Sequence, residues 1–105
     1  WIHGCRNRAV HAFRDEIQAI DDASSNFSKH IFYNECTEED LDAGVNSGYL
    51  DLKKLTHLPH YPQTQYYICG PAVFIQKQIT DLREMGISPE YIFFEEFGPG
   101  TLSAN

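Results

Sequence analysis

Basic residues are scarce in this chain of 105 residues: eight Lys and Arg stand against fifteen Asp and Glu, a formal net charge of −7. A surface of that sign repels phosphate backbones and anionic lipid, so nucleic acid is not an expected partner. Long apolar runs are also missing. No stretch approaches the roughly 20 apolar residues that cross a bilayer, and the Trp1 end lacks the charged and apolar regions of a signal peptide. The expectation is a cytoplasmic setting with no membrane partner. Cysteine is limited to Cys5, Cys36 and Cys69, an odd number at wide spacing that suits neither a disulfide framework nor a zinc knuckle. Reduced thiols are expected. Gly-x-Gly occurs only at Gly98-Pro99-Gly100, and no internal repeat or low-complexity segment is visible.

What remains is enough for one core, and a single compact unit is expected. The chain opens on Trp1 without an initiator Met, in a strand that reads as entered partway along, so it is expected to be an internal piece of a larger protein. Residues 1–4 read as a short strand. Ala9, Phe13, Ile17 and Ile20 then recur at helical spacing over residues 8–20. After a polar stretch at 21–28, residues 30–34 (HIFYN) form a second strand. Residues 35–45 read as an acidic loop and 48–55 as a short helical turn. Pro59 and Pro62 punctuate the connection to residues 65–69 (QYYIC), whose aromatic and β-branched content suits a buried central strand. Gly70 and Pro71 open a helix with Ile75, Ile79 and Leu82 on one face, which stops near Gly86. A last strand covers residues 91–95.

Strands alternating with helices imply an α/β class: a doubly wound, Rossmann-like, mostly parallel sheet with helices on both faces. In such sheets ligands sit outside the carboxyl ends of the strands. Attention therefore falls on residues 3–7, 69–74 and 95–99.

The most informative stretch is residues 66–71, where an apolar strand ends in the Cys69 thiol and passes through Gly70 into a helix start at Pro71. Glycine admits close approach to the backbone, and a helix start offers unpaired N–H groups to a pyrophosphate. An acidic chain binds a dinucleotide this way without clusters of Lys or Arg. A tight turn with no ligand is the plainer reading of the same residues. Likewise, Phe97 read alone is as well explained as a packing aromatic.

YICGP followed by a helix, and then GISPEYIFFEEFGP at residues 86–99, resembles the C-terminal end of the ferredoxin-reductase-like superfamily, and within it most the reductase domain of flavohaemoglobins. The opening HGCRNRAVHAFRDEI, residues 3–17, adds a similar strand end followed by a His-Ala-Phe helix. The three blocks span nearly the whole chain in the expected order. The resemblance implies that Cys69 lies near the nicotinamide C4, that Gly70 and Pro71 contact the NADH phosphates, and that Phe74 flanks the nucleotide. It implies that Glu95 sits by flavin and nicotinamide, that Phe97 covers the flavin where the nicotinamide enters, and that Glu96, Gly98 and Pro99 complete the flavin-facing turn. It also implies that Arg6 and Asn7 line the nicotinamide-ribose or phosphate side.

The implied activity is that of an NAD(P)H-dependent flavin oxidoreductase, in which the protein positions two ring systems and the cofactors supply reactivity. NADH is expected ahead of NADPH, because no cluster of basic and hydroxyl residues accompanies Arg6. FAD is expected to be bound mainly by a flavin domain outside this chain. The family's Gly-rich loop follows the first strand of the lobe, and nothing here resembles it. That strand, loop and first helix are expected before Trp1, and residues 1–105 alone are expected to be inactive. The electron acceptor is expected to be a haem in a globin domain or a fused [2Fe–2S] ferredoxin domain; residues 100–105 read equally as an end or a linker.

Other classes fit less well. A Cys-dependent phosphatase needs Arg six residues after its thiol, where Ile75 stands. A receiver-like signalling domain needs Lys at the end of the last strand, which instead ends in Glu95-Glu96-Phe97. No serine sits in a nucleophile elbow. Among the histidines only His57 and His60 have a ligand-like spacing, and no metal site is expected.

Overall fold

A computed structural model describes residues 1–56, 58 and 60–96. Parallel strands alternate with helices, as the α/β reading implies. Where one compact unit was expected, the chain divides into two, Trp1–Leu50 and a second beginning at Asp51.

In the first unit, β1 (Ile2–Cys5), β2 (His30–Tyr33) and β3 (Asn46–Ser47) form a parallel sheet in the order β1-β2-β3. Ile2 to Cys5 register with His30 to Tyr33, and Phe32 and Tyr33 with Asn46 and Ser47. Buried β2 is the middle strand, with Phe32 fully enclosed. The helical pattern over residues 8–20 resolves into a 3-10 turn (Arg8–Val10) and a later helix, α1 (Arg14–Ala23). Between them Phe13 takes a left-handed conformation, φ 59°, which costs a non-glycine residue about 1 kcal/mol or more. The break falls where His11 turns inward, stacking on His3 with ring centroids 4.7 Å apart and sharing a 2.8 Å hydrogen bond with the Tyr33 hydroxyl. Local periodicity does not register such a tertiary anchor.

The acidic segment read as a loop contains α2 (Glu38–Asp42). Its start is held by a reciprocal cap: the Asp40 N–H donates to Thr37 Oγ1 at 3.1 Å, and the Thr37 N–H donates to the Asp40 carboxylate at 3.0 Å. Two orphan donors of the first turn are thereby satisfied.

In the second unit, β4 (Tyr66–Gly70) and β5 (Ile92–Glu96) pair in parallel, joined through α3 (Ala72–Glu84). Ile75, Gln78 and Leu82, at spacings of three and four, are buried along one face of α3. A 3-10 turn at Leu52–Lys54 contributes buried Leu52. Ion pairs link that turn to α3: buried Asp81 accepts from Lys77 at 2.7 Å and lies 3.8 Å from Lys53, which also pairs with Glu84 at 2.6 Å. The helix ends as its terminal glycine signal requires. Gly86 has φ 90°, its N–H donates to the Arg83 carbonyl, and the Ile87 N–H donates to the Leu82 carbonyl. This pairing of the last carbonyls needs the left-handed residue that glycine supplies.

One expectation for this unit is corrected. The composition of residues 65–69 suits a buried central strand, yet Tyr67 is 74% exposed and Cys69 is exposed. Side chains alternate across a strand, and β4 follows that alternation, with Tyr66 and Ile68 half-buried and Gly70 buried. A sequence rich in aromatic and β-branched residues reports strand propensity, while the count of covered faces depends on what packs there.

Candidate functional site at the carboxyl ends of β4 and β5

The register of β4 against β5 pairs Cys69 with Glu95 and Gly70 with Glu96. Neighbouring strands run about 4.8 Å apart, and paired residues of a parallel ladder project to the same face. Cys69 and Glu95 therefore form one rung, thiol beside carboxylate, at the carboxyl edge. Both are exposed. One step earlier on the same face, Tyr67 and Phe93 stack with ring centroids 5.1 Å apart and planes 18° from parallel. The apolar pair supports the rung from below without covering it.

Immediately beyond this rung α3 begins, with Pro71 as its N-cap. Its first intrahelical bond runs from the Ile75 N–H to the Pro71 carbonyl, 3.0 Å. The N–H groups of Ala72, Val73 and Phe74 precede that bond and lack intrahelical partners. They lie at an exposed turn, with Val73 85% exposed. Such donors, at the positive end of a 13-residue helix, suit the phosphate oxygens of a dinucleotide. The donor set therefore fits the phosphates of NAD(H). Phe74 lies on the α3 side of Gly70, the face opposite Cys69.

The second unit thus brings together Cys69, Gly70, Pro71, Phe74, Glu95 and Glu96. Arg6 and Asn7 lie in the first unit, just past β1. There the Arg6 carbonyl accepts from the Glu35 N–H at 2.7 Å, and Asn7 Nδ2 donates to the Glu35 carboxylate at 3.0 Å. Asn7 thereby fixes the strand end, and the exposed Arg6 guanidinium projects from it. Phe97, Gly98 and Pro99 lie outside the described residues, as do His57 and Pro59.

Residues 1–79 match the family described as the oxidoreductase NAD-binding domain. The chain belongs to that family. Within it, this NAD-binding domain is 35% identical over 101 residues to a flavohemoprotein of Rhizobium meliloti, covering 94% of this chain and 25% of that protein. A flavohemoprotein of Bordetella pertussis is 33% identical over 103 residues, with 95% and 25% covered. Among solved structures, the flavohem-like FAD/NAD-binding domain of nitric oxide dioxygenase from Vibrio cholerae superposes with a TM-score of 0.72 at 26% identity, covering 93% of this chain and 38% of that one. The ferredoxin-reductase-like resemblance drawn from YICGP and the terminal block is borne out. The chain spans about a quarter of the length of the curated relatives it matches.

One cluster was not anticipated as a cluster. Trp1, His3, His11 and Tyr33 form a column of rings in the first unit. Burial, followed by the nearby His3, Arg14 and Lys29 charges, pushes His11 down to about 4; burial also lowers His3. Both rings are therefore neutral at neutral pH, which is what lets them stack. Cys5, on the same strand as His3, has its thiol raised by burial. Two shallow grooves lie elsewhere, one of about 570 Å³ beside the start of α1 and one of about 560 Å³ along α3. Neither is lined by Cys69 or Glu95. Among the described residues no group of three His, Cys, Asp or Glu is placed to hold a metal ion, and no helix is long and apolar enough to cross a membrane.

Proposed function

We propose that this NAD-binding domain is the distal part of the lobe that presents NADH to an FAD held mainly by another domain of the same protein. Residues 1–105 do not include the lobe's Gly-rich loop in this reading, since Gly-x-Gly occurs only at Gly98-Pro99-Gly100. In this reading the electrons pass from flavin to a haem in a globin domain. The flavohemoprotein relatives favour that acceptor over a fused [2Fe–2S] ferredoxin. NADH is the expected donor, with NADPH the alternative.

The observation that carries the proposal is the exposed Cys69–Glu95 rung beside the open start of α3. Bound NADH would supply the hydride. Cys69 would limit how closely the reacting ring settles against the strand end, since a thiol is small and polarisable. The Glu95 carboxylate places negative charge where the ring giving up hydride turns cationic, so it favours the later stage of transfer. The N–H groups of Ala72, Val73 and Phe74 would hold the pyrophosphate and fix the distance from phosphate to ring. Arg6 and Asn7 enter the proposal on the resemblance alone. Phe97, Glu96, Gly98 and Pro99 enter the proposal on the resemblance, as the turn facing the flavin. An edge left open at Cys69 and Glu95 suits a site completed by a second domain.

Anaerobic mixing of the intact protein with NADH tests the reading directly. Rapid bleaching of flavin absorbance is expected. An intact protein that holds flavin but leaves it oxidised in excess NADH and NADPH sinks the assignment.

A further inference from the structure

Gly70 is not glycine for the sake of its backbone. Among the described residues the positive-φ glycines are Gly44, Gly48 and Gly86, and Gly70 is not one of them. An L-residue would therefore meet no backbone penalty there. What excludes a side chain is Phe74, four residues on in the first turn of α3. A Cβ on Gly70 would lie 2.6 Å from Phe74 Cδ2 and 3.3 Å from both Cε2 and Cγ. Real carbon pairs do not approach to 2.6 Å, and the short distance to Cγ means that the root of the ring is involved as well as its tip. The ring thus fills the space above the bare Cα of Gly70, which is buried.

We infer that the Phe74 ring is a positioning group for the proposed NADH site, acting through Gly70 rather than by packing on the nucleotide; the inference rests on the function proposed above. Its ring lies on the α3 side of the β4–β5 ladder. The alternation along β4 sends Cys69 to the opposite face. With the ring seated on Gly70, the turn from strand to helix is pinned between two fixed points. That sets both the height of the Cys69 thiol at the strand end and the aim of the Ala72 and Val73 N–H groups. The short segment carrying both the ring stop and the phosphate donors then has one conformation, and a displacement near 1 Å there is enough to slow a reaction that depends on ring-to-ring distance. Any nucleotide contact at Gly70 must come from the backbone edge, because the α3 side is already occupied.

The inference predicts a reciprocal size relation between two positions. In the intact protein, Gly70→Ala should slow NADH-dependent flavin reduction about tenfold, whereas in a Phe74→Ala background the same change should alter the rate less than about twofold, the non-additivity expected of contacting residues. Flavin content should stay constant throughout. Hydrogen exchange at residues 69–73 should rise in Gly70→Ala and Phe74→Ala alike, and the double variant should exceed neither. Should Phe74→Ala fail to fold, Phe74→Val provides the smaller side chain. Independent, multiplicative effects of the two substitutions on the reduction rate overturn the inference, as does coupling seen in exchange with no response in the rate. A wild-type protein that neither binds NADH nor is reduced by it removes the underlying reading as well. Multiplicative effects in an active wild type remove this inference alone.

Discussion

Cys69 and Glu95 are register partners on adjacent parallel strands, thiol and carboxylate on one exposed rung. Residues 26 positions apart in sequence are brought side by side only because α3 carries the chain back to the start of the neighbouring strand. If a nicotinamide ring settles on that rung, the two side chains act differently on it, and the variants of each should separate.

Replacing Cys69 by Ala removes the group proposed to set ring distance but leaves the first-turn N–H groups of α3 untouched. Flavin reduction at saturating NADH should slow by about tenfold or more, with NADH affinity changed by less than about threefold, the pattern of an interaction used mainly in the transition state. Stopped-flow reduction over a range of NADH concentrations measures both. Equal losses in rate and affinity would mark a thiol that only packs.

Glu95→Gln keeps the shape of the side chain and removes its charge. Because the carboxylate stabilises a cationic ring and not a neutral one, the variant should bind NAD⁺ more weakly relative to NADH, by about threefold to tenfold, and reduce flavin about tenfold more slowly. Titration with each form of the nucleotide reads the ratio. An unchanged ratio would leave Glu95 a surface carboxylate.

The His3–His11 column predicts a pH dependence of stability in the first unit. His11 titrates near its ordinary 6.5 when unfolded but is pushed down to about 4 in the fold, chiefly by burial. Between those values the unfolded chain binds more protons than the folded one, so stability rises with pH across the window and is lost as pH falls from about 6.5 toward about 4. His3 adds to the slope in the same direction. Unfolding midpoints measured through this range should fall more steeply for the wild type than for His11→Gln. Parallel curves would show that His11 is not the titrating group.

Thr37→Ala should cost about 1 kcal/mol, the usual worth of an N-cap side chain. Asp40 would also lose the N–H geometry its carboxylate now meets. Urea unfolding together with exchange at residues 38–43 tests this. Unchanged protection there would mean that α2 is held by its buried contacts rather than by its cap.

Much of the fold was legible. Alternating strand and helix signals gave the α/β class, and the limits of β2, α3 and β5 lie within a few residues of those read from hydrophobic spacing and from the Pro71 and Gly86 boundaries. Two elements were read wrongly for different reasons. The Thr37–Asp40 cap was present in the sequence, as Thr followed three residues later by an acid, but five residues without an apolar period carried no helical pattern to attach it to. The break at Phe13 had no local signal, because it depends on Tyr33, twenty residues away. At the candidate site, YICGP named the residues, and local sequence also suggested that Gly70 serves close approach of a ligand. The tertiary structure adds the Phe74 ring packed on the other side of that glycine, which no local pattern announces.

Sequence alone determined the class of fold, the sign of the formal charge and the family. These follow from composition, period and short contiguous motifs, all local along the chain. Tertiary structure decided which thiol stands beside which carboxylate, which face of β4 is open, and why position 70 lacks a side chain. Those depend on strand register and on a ring arriving from the next helix, and neither is encoded in any single stretch of residues.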